Sequence, residues 1–131
     1  MLKQLNEVAQ RAYAPYSQFR VAALFEFRDG TVQSGFNIEN AAYPSTLCAE
    51  RVGLFTMINT GMDLTQIARI HIYSPDSADY LSPCGACRQV LSEHISLAVE
   101  ILMYNNRGHS SAMTLAQLFP APVSKKTVIG R

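Results

Sequence analysis

Cys48, Cys84 and Cys87 are the only cysteines in the chain, and Glu50 follows the first of them by two residues. Thiolates bind borderline-soft metals, and a carboxylate beside a metal that activates water is the usual arrangement for general acid–base hydrolysis. In Pro83-Cys84-Gly85-Ala86-Cys87 two residues separate the thiols. At the first turn of a helix this spacing brings both sulfurs to one ion. The unpaired N–H groups and the positive dipole end found there favour the thiolate form. A lone C-x-x-C also fits a redox dithiol. Three features favour zinc: every cysteine belongs to the constellation, Glu50 accompanies Cys48, and there is no fourth thiol.

A structural zinc site closes its shell with four protein ligands, whereas a catalytic one keeps a position open. The candidates for a fourth ligand are His71, His94 and His109. His71 falls mid-strand and reads as facing solvent or a partner. His94 lies about two helical turns beyond the Cys84 pair. His109 sits in a polar stretch, Asn105 to Ser111, that reads as a solvated loop. An open site is therefore expected. Three thiolates on a divalent ion leave net negative charge, which opposes ionisation of water. Arg51, one turn after Cys48 on the same face, is placed to offset it, with Arg88 the second candidate.

The elements that must hold these residues follow from periodicity. Leu2, Leu5, Val8, Ala9 and Ala12 recur at helical spacing until Ala14-Pro15-Tyr16-Ser17. Phe19 to Phe27 and Thr31 to Ile38 read as strands around the hairpin turn Asp29-Gly30. Thr46 to about Asn59 reads as a helix that stops at Gly61, and Cys84 to His94 as another. Ile67 to Tyr73 and Ala98 to Tyr104 are strands, and Leu115 to Phe119 ends a short helix before Pro120 and Pro122. A strand–helix–strand order implies a mixed sheet with helices on its faces.

Composition narrows the function classes. The chain has 131 residues, 48% apolar and 16% charged, with net charge +1. That is one globular domain, residues 1–131, with no electrostatic reason to expect nucleic acid or an anionic membrane as partner. No apolar run reaches the roughly 18 residues of a membrane span. The start carries no signal-peptide pattern, so a cytoplasmic location is expected.

Thr46-Leu47-Cys48-Ala49-Glu50-Arg51 and Pro83-Cys84-Gly85-Ala86-Cys87-Arg88-Gln89-Val90-Leu91 resemble the two zinc motifs of the small, homotetrameric cytidine deaminases. Tyr13 to Phe19 resembles that family's tyrosine–proline–tyrosine–serine–x–phenylalanine segment, and Gly35 to Tyr43 its nucleoside-binding segment. The resemblance runs from about Ala12 to Leu118. It implies a three-layer α/β/α fold with a mixed five-stranded sheet. It implies hydrolytic deamination of cytidine and deoxycytidine in pyrimidine salvage, with Zn²⁺ as cofactor. Cys48, Cys84 and Cys87 would hold zinc and Glu50 would move protons. Asn37 and Glu39 would hold the ribose, Phe19 would pack on the nucleoside, and the Ala49 backbone would read the base. Tyr43 would lie near an interface of a homotetramer whose active sites are bordered by neighbouring subunits.

Asn37 and Glu39, two apart on an extended segment, share one face. A carboxylate there accepts hydrogen bonds from sugar hydroxyls and repels phosphate, which favours a free nucleoside over a nucleotide or polymer. Two stretches depart from the family pattern. Val21-Ala22-Ala23-Leu24 stands where valine–glycine–alanine–alanine is usual. Pro120-Ala121-Pro122-Val123 stands where a proline–glycine–alanine–phenylalanine often closes a neighbour's site, so a more open pocket rim is expected. The alternatives are a deaminase of a cytosine-bearing nucleoside antibiotic and a zinc-stabilised interaction domain without turnover.

Overall fold

Ala22–Phe27 (β1) and Val32–Phe36 (β2) pair antiparallel across Asp29-Gly30. Gly30 supplies the positive φ of the turn, +86°, and Asp29 Oδ1 accepts from Thr31 N at 2.9 Å. On its other side β1 pairs antiparallel with Ile67–Tyr73 (β3). β3 pairs parallel with Glu100–Tyr104 (β4), which pairs antiparallel with Ser110–Thr114 (β5). The result is a mixed five-stranded sheet of order β2-β1-β3-β4-β5. Its one parallel pair is the one joined through a helix, as short connections demand. The structure, a computed structural model, describes residues 1–131.

Leu2–Ala9 (α1) covers one sheet face, burying Leu5, Val8 and Ala9 against Ala22, Leu24, Tyr73 and Tyr104. Ala49–Asn59 (α2), Gly85–His94 (α3) and Leu115–Leu118 (α4) cover the other face, over Phe25, Ile70, Ile72 and Ile101. Lys125–Ile129 (α5) ends the chain. The three layers and five strands expected from the resemblance are therefore present.

Two local expectations change. The polar stretch read as a loop gives way to β5 at Ser110. This strand lies at the sheet edge with one ladder partner, so it has no buried face to impose apolar alternation. His71 does not face solvent. It is 3% exposed, with Nε2 2.9 Å from Glu26 Oε2 and Nδ1 2.9 Å from the Tyr104 hydroxyl. Strands on both sides supply its partners, so mid-strand polarity here means a satisfied interior group.

At its start α2 meets the sheet through glycines, with backbone on backbone at Gly35. A Cβ on Gly35 would collide with the Ala49 carbonyl oxygen and come 2.5 Å from Gly53 N. A Cβ on Gly53 would come 2.6 Å from the Phe25 ring. The start of α2 thus lies directly on the β2 backbone.

Candidate active site

Cys48 is the N-cap residue of α2 and Cys84 that of α3, so two helix N-termini converge on one point. Cys84 Sγ accepts from Cys87 N at 3.5 Å, which turns the second thiol of the pair toward the first. The three sulfurs lie within 4.8 Å of one another, with Cys48 and Cys84 3.6 Å apart. Tetrahedral zinc with bonds of ~2.3 Å separates its ligand sulfurs by about 3.8 Å. The donor set and its spacing fit zinc. No histidine joins the group: His94 ends α3 at the surface, His109 is exposed, and His71 is occupied under α1.

Arg51 reaches back one turn and places Nη2 3.4 Å from Cys48 Sγ. Arg88 does not play this part. It donates to the Pro83 and Leu118 carbonyls and to Ser82 Oγ, fastening the cysteine loop to α4. In the metal-free protein, a hydrogen bond from the Cys87 thiol, with Arg51 and Cys84 assisting, brings Cys48 down to about 5. Cys87 moves the opposite way, because the Cys48 thiolate holds its proton and burial adds to the effect.

Glu50 is 4% exposed, with Oε2 3.7 Å from Cys87 Sγ. Burial pushes its carboxyl up to about 7, and the Cys48 thiolate adds to the rise. A carboxyl with that range is suited to take and return protons near neutrality.

Cys48, Glu50 and Cys84 form the floor of a cavity of about 290 Å³, with Phe19, Asn37 and Glu39 among its walls. Ala49 is fully buried behind the floor, and Cys87 lies beneath it. Tyr43 lines a neighbouring groove with Tyr16, next to Ser17, Glu39 and Thr46, and these last three also line the cavity. Its ring meets Tyr16 edge-on at 6.0 Å. Sequence reasoning passed over Val21, Leu81 and Ser82 as lining residues. Ser82 directly precedes Pro83 of the cysteine loop, a proximity that was available as a signal. Nothing in the sequence marks Val21 or Leu81.

Residues 1–103 match the family described as the cytidine and deoxycytidylate deaminase zinc-binding region. The chain belongs to this deaminase family. A Sporosarcina psychrophila protein named cytidine deaminase is 35% identical over 126 residues, covering 96% of this chain and 90% of the relative. One from Halalkalibacterium halodurans is 37% identical over 121 residues, covering 92% and 89%. The crystal structure of cytidine deaminase from Burkholderia pseudomallei superposes with a TM-score of 0.86 at 34% identity, covering 92% of this chain and 94% of that one. As a member of this zinc-binding deaminase family, the chain carries a three-cysteine cluster able to hold the family's metal.

Proposed function

We propose that this chain hydrolyses the amino group of cytidine and deoxycytidine, giving uridine or deoxyuridine and ammonia. The observation that carries the reading is Glu50. It is a buried carboxyl with its pKa raised to about 7, set beside a three-sulfur cluster in the floor of a nucleoside-sized cavity. Zinc held by Cys48, Cys84 and Cys87 supplies the Lewis acidity that makes water ionise near neutral pH.

Glu50 takes a proton from the attacking water and gives it to N3 of the pyrimidine, which makes C4 electrophilic. After addition, it takes the proton of the new C4 hydroxyl and gives it to the amino nitrogen. The C4–N bond breaks, ammonia leaves, and Glu50 returns as carboxylate. Phe19 packs against the nucleoside, and the free N–H groups at the start of α2, Ala49 included, face the base. Asn37 and Glu39 hold the sugar, and their acidic corner turns phosphate away. Arg51 keeps the sulfurs from retaining full negative charge.

The relatives named cytidine deaminase support the substrate. Residues 1–131 act as one catalytic domain in pyrimidine salvage. Free thiols in a metal-ligand arrangement suit the reducing cytoplasm. Tyr43 is 69% exposed beside the cavity, which supports a homotetramer with neighbouring subunits bordering each site. No helix is long and apolar enough to cross a membrane.

Ammonia release from cytidine by purified protein tests the reading. Cytidine and deoxycytidine turn over, and cytidine monophosphate and single-stranded DNA do not. Folded, zinc-loaded protein inert toward free nucleosides would leave the interaction domain as the better account.

A further inference from the structure

Glu39, on the wall of the cavity, is held by another loop before any ligand arrives. Its Oε1 accepts from Tyr16 N at 3.0 Å and from Ser17 N at 3.1 Å, and its Oε2 accepts from the Ser17 hydroxyl. These bonds, led by the Ser17 hydroxyl, hold the Glu39 carboxyl below the usual carboxylate range. An ionised carboxylate only accepts, so the Ser17 proton must point to Glu39. That leaves the Ser17 lone pairs free, and Phe19 N donates to Ser17 Oγ at 3.0 Å.

The far side of Phe19 is fixed as well. Its carbonyl accepts from Asn37 Nδ2 at 2.8 Å, while Asn37 Oδ1 accepts from Val21 N at 2.9 Å. Between Ser17 and Phe19, Gln18 sits at φ +57°, a left-handed conformation that costs a non-glycine residue energy. The hydrogen bonds on either side hold it there.

Resting on the nucleoside reading above, we infer that Ser17 is a positioning residue: one hydroxyl ties the sugar-binding carboxylate of Glu39 to the backbone of Phe19. Without it, Glu39 keeps only backbone partners and can rotate, and the turn at Gln18 loses its support. Ser17 is exposed and lies at the cavity mouth, away from the cysteines and Glu50, so its loss acts on binding and leaves proton transfer intact.

The experiment is a double-mutant cycle on the zinc-loaded enzyme with cytidine. Ser17→Ala should raise KM about ten-fold, the worth of one hydrogen bond to a charged group, with kcat changed by less than about two-fold. Ser17→Thr, which keeps the hydroxyl, should restore KM. In a Glu39→Gln background the same Ser17→Ala change should raise KM by much less, because the acceptor it serves is altered. Calorimetric binding of uridine, the product, should weaken in parallel with KM.

An unchanged KM and uridine affinity in Ser17→Ala would overturn the assignment. So would an equal penalty in the Glu39→Gln background, or a kcat loss as large as the KM rise. Wild-type protein inert toward cytidine would remove the nucleoside reading and this inference together. Active wild type with a silent Ser17→Ala would remove this inference alone.

Discussion

Arg51 places Nη2 3.4 Å from Cys48 Sγ, while its Nε is buried without a hydrogen-bond partner. The side chain is half-buried, and the charge it carries is set against the Cys48 and Cys87 sulfurs. Arg51→Gln keeps a polar side chain but shortens it by two atoms and loses the charge. Activity should fall by about ten-fold or more, the worth of one charge-assisted bond, with zinc retained. Steady-state kinetics together with elemental analysis checks it. Full activity would show that the helix N–H groups neutralise the sulfurs unaided.

Glu50→Gln removes the proton acceptor and preserves shape. Turnover should drop by at least roughly 10²–10⁴-fold, the range for one general acid–base group, while zinc content and unfolding midpoint stay close to wild type. Near-normal kcat would falsify the proton-transfer role.

The metal-free protein should show its depressed thiol chemically. With Cys48 near 5 and Cys87 raised, an alkylating reagent should modify Cys48 first, with a rate that climbs as pH rises through about 5 and then levels off. Cys87, buried beneath the cavity floor, should react last. Linkage gives the stability sign. An acid whose folded pKa is depressed stabilises above its unfolded pKa and loses that contribution as pH falls through the folded value. The Cys48 contribution should therefore fade as pH drops below about 9, while Glu50, raised to about 7, gains an opposite one below that value, so the metal-free fold should weaken between about pH 9 and 7 and change little from there to 5. Peptide mapping and denaturant titration at several pH values measure both effects. Preferential labelling of Cys87 would contradict the arrangement.

His71→Ala should destabilise the protein without touching catalysis. It leaves the Tyr104 hydroxyl without its partner inside the α1 face, at a cost of about 1–3 kcal/mol, while half-buried Glu26 keeps Arg69 at 4.0 Å. A lower urea midpoint with unchanged KM is the expected pair of results. A change in KM alone would mean that this network couples to the cavity.

Val123 is 52% exposed, and its carbonyl is tied to Gln89 Nε2 at 3.0 Å, so the tail is anchored while the side chain is free. If the chain assembles as proposed, Val123→Phe adds a ring at a neighbour's pocket rim. KM for cytidine should fall by an amount near or below the bottom of the about 1–3 kcal/mol that an aromatic–base stack is worth. Tolerance of bulky cytosine nucleosides should fall with it. An unchanged KM would show that the tail does not reach a site.

The metal centre could be read from the sequence because it depends on few residues in fixed local patterns: two helix N-caps and a first-turn glutamate. Arg51 was found by the same helical spacing. What spacing could not separate was Arg51 from Arg88. The two differ in tertiary partners, since Arg88 is spent on the Pro83 and Leu118 carbonyls. β5 was missed because an exposed edge strand carries no pattern beyond that of a polar loop. His71 was misplaced because its partners, Glu26 and Tyr104, are 45 and 33 residues away. Ser17 went unremarked in itself for a similar reason: Glu39 lies 22 residues on.

The bare contact of Gly35 with Gly53 bears on how this protein can change over generations. A larger residue at Gly35 must lift the start of α2, and Cys48 and Glu50 rise with it, while one at Gly53 must displace the fully buried Phe25 ring. Gly61 and Gly85 have open space around them, although Gly61 has φ +77°. In a saturation library selected for growth on cytidine, Gly35 and Gly53 should accept nothing else, while Gly85 accepts alanine and serine. New substrate preferences would then have to arise from the cavity walls and the tail, because the floor cannot be re-angled one substitution at a time.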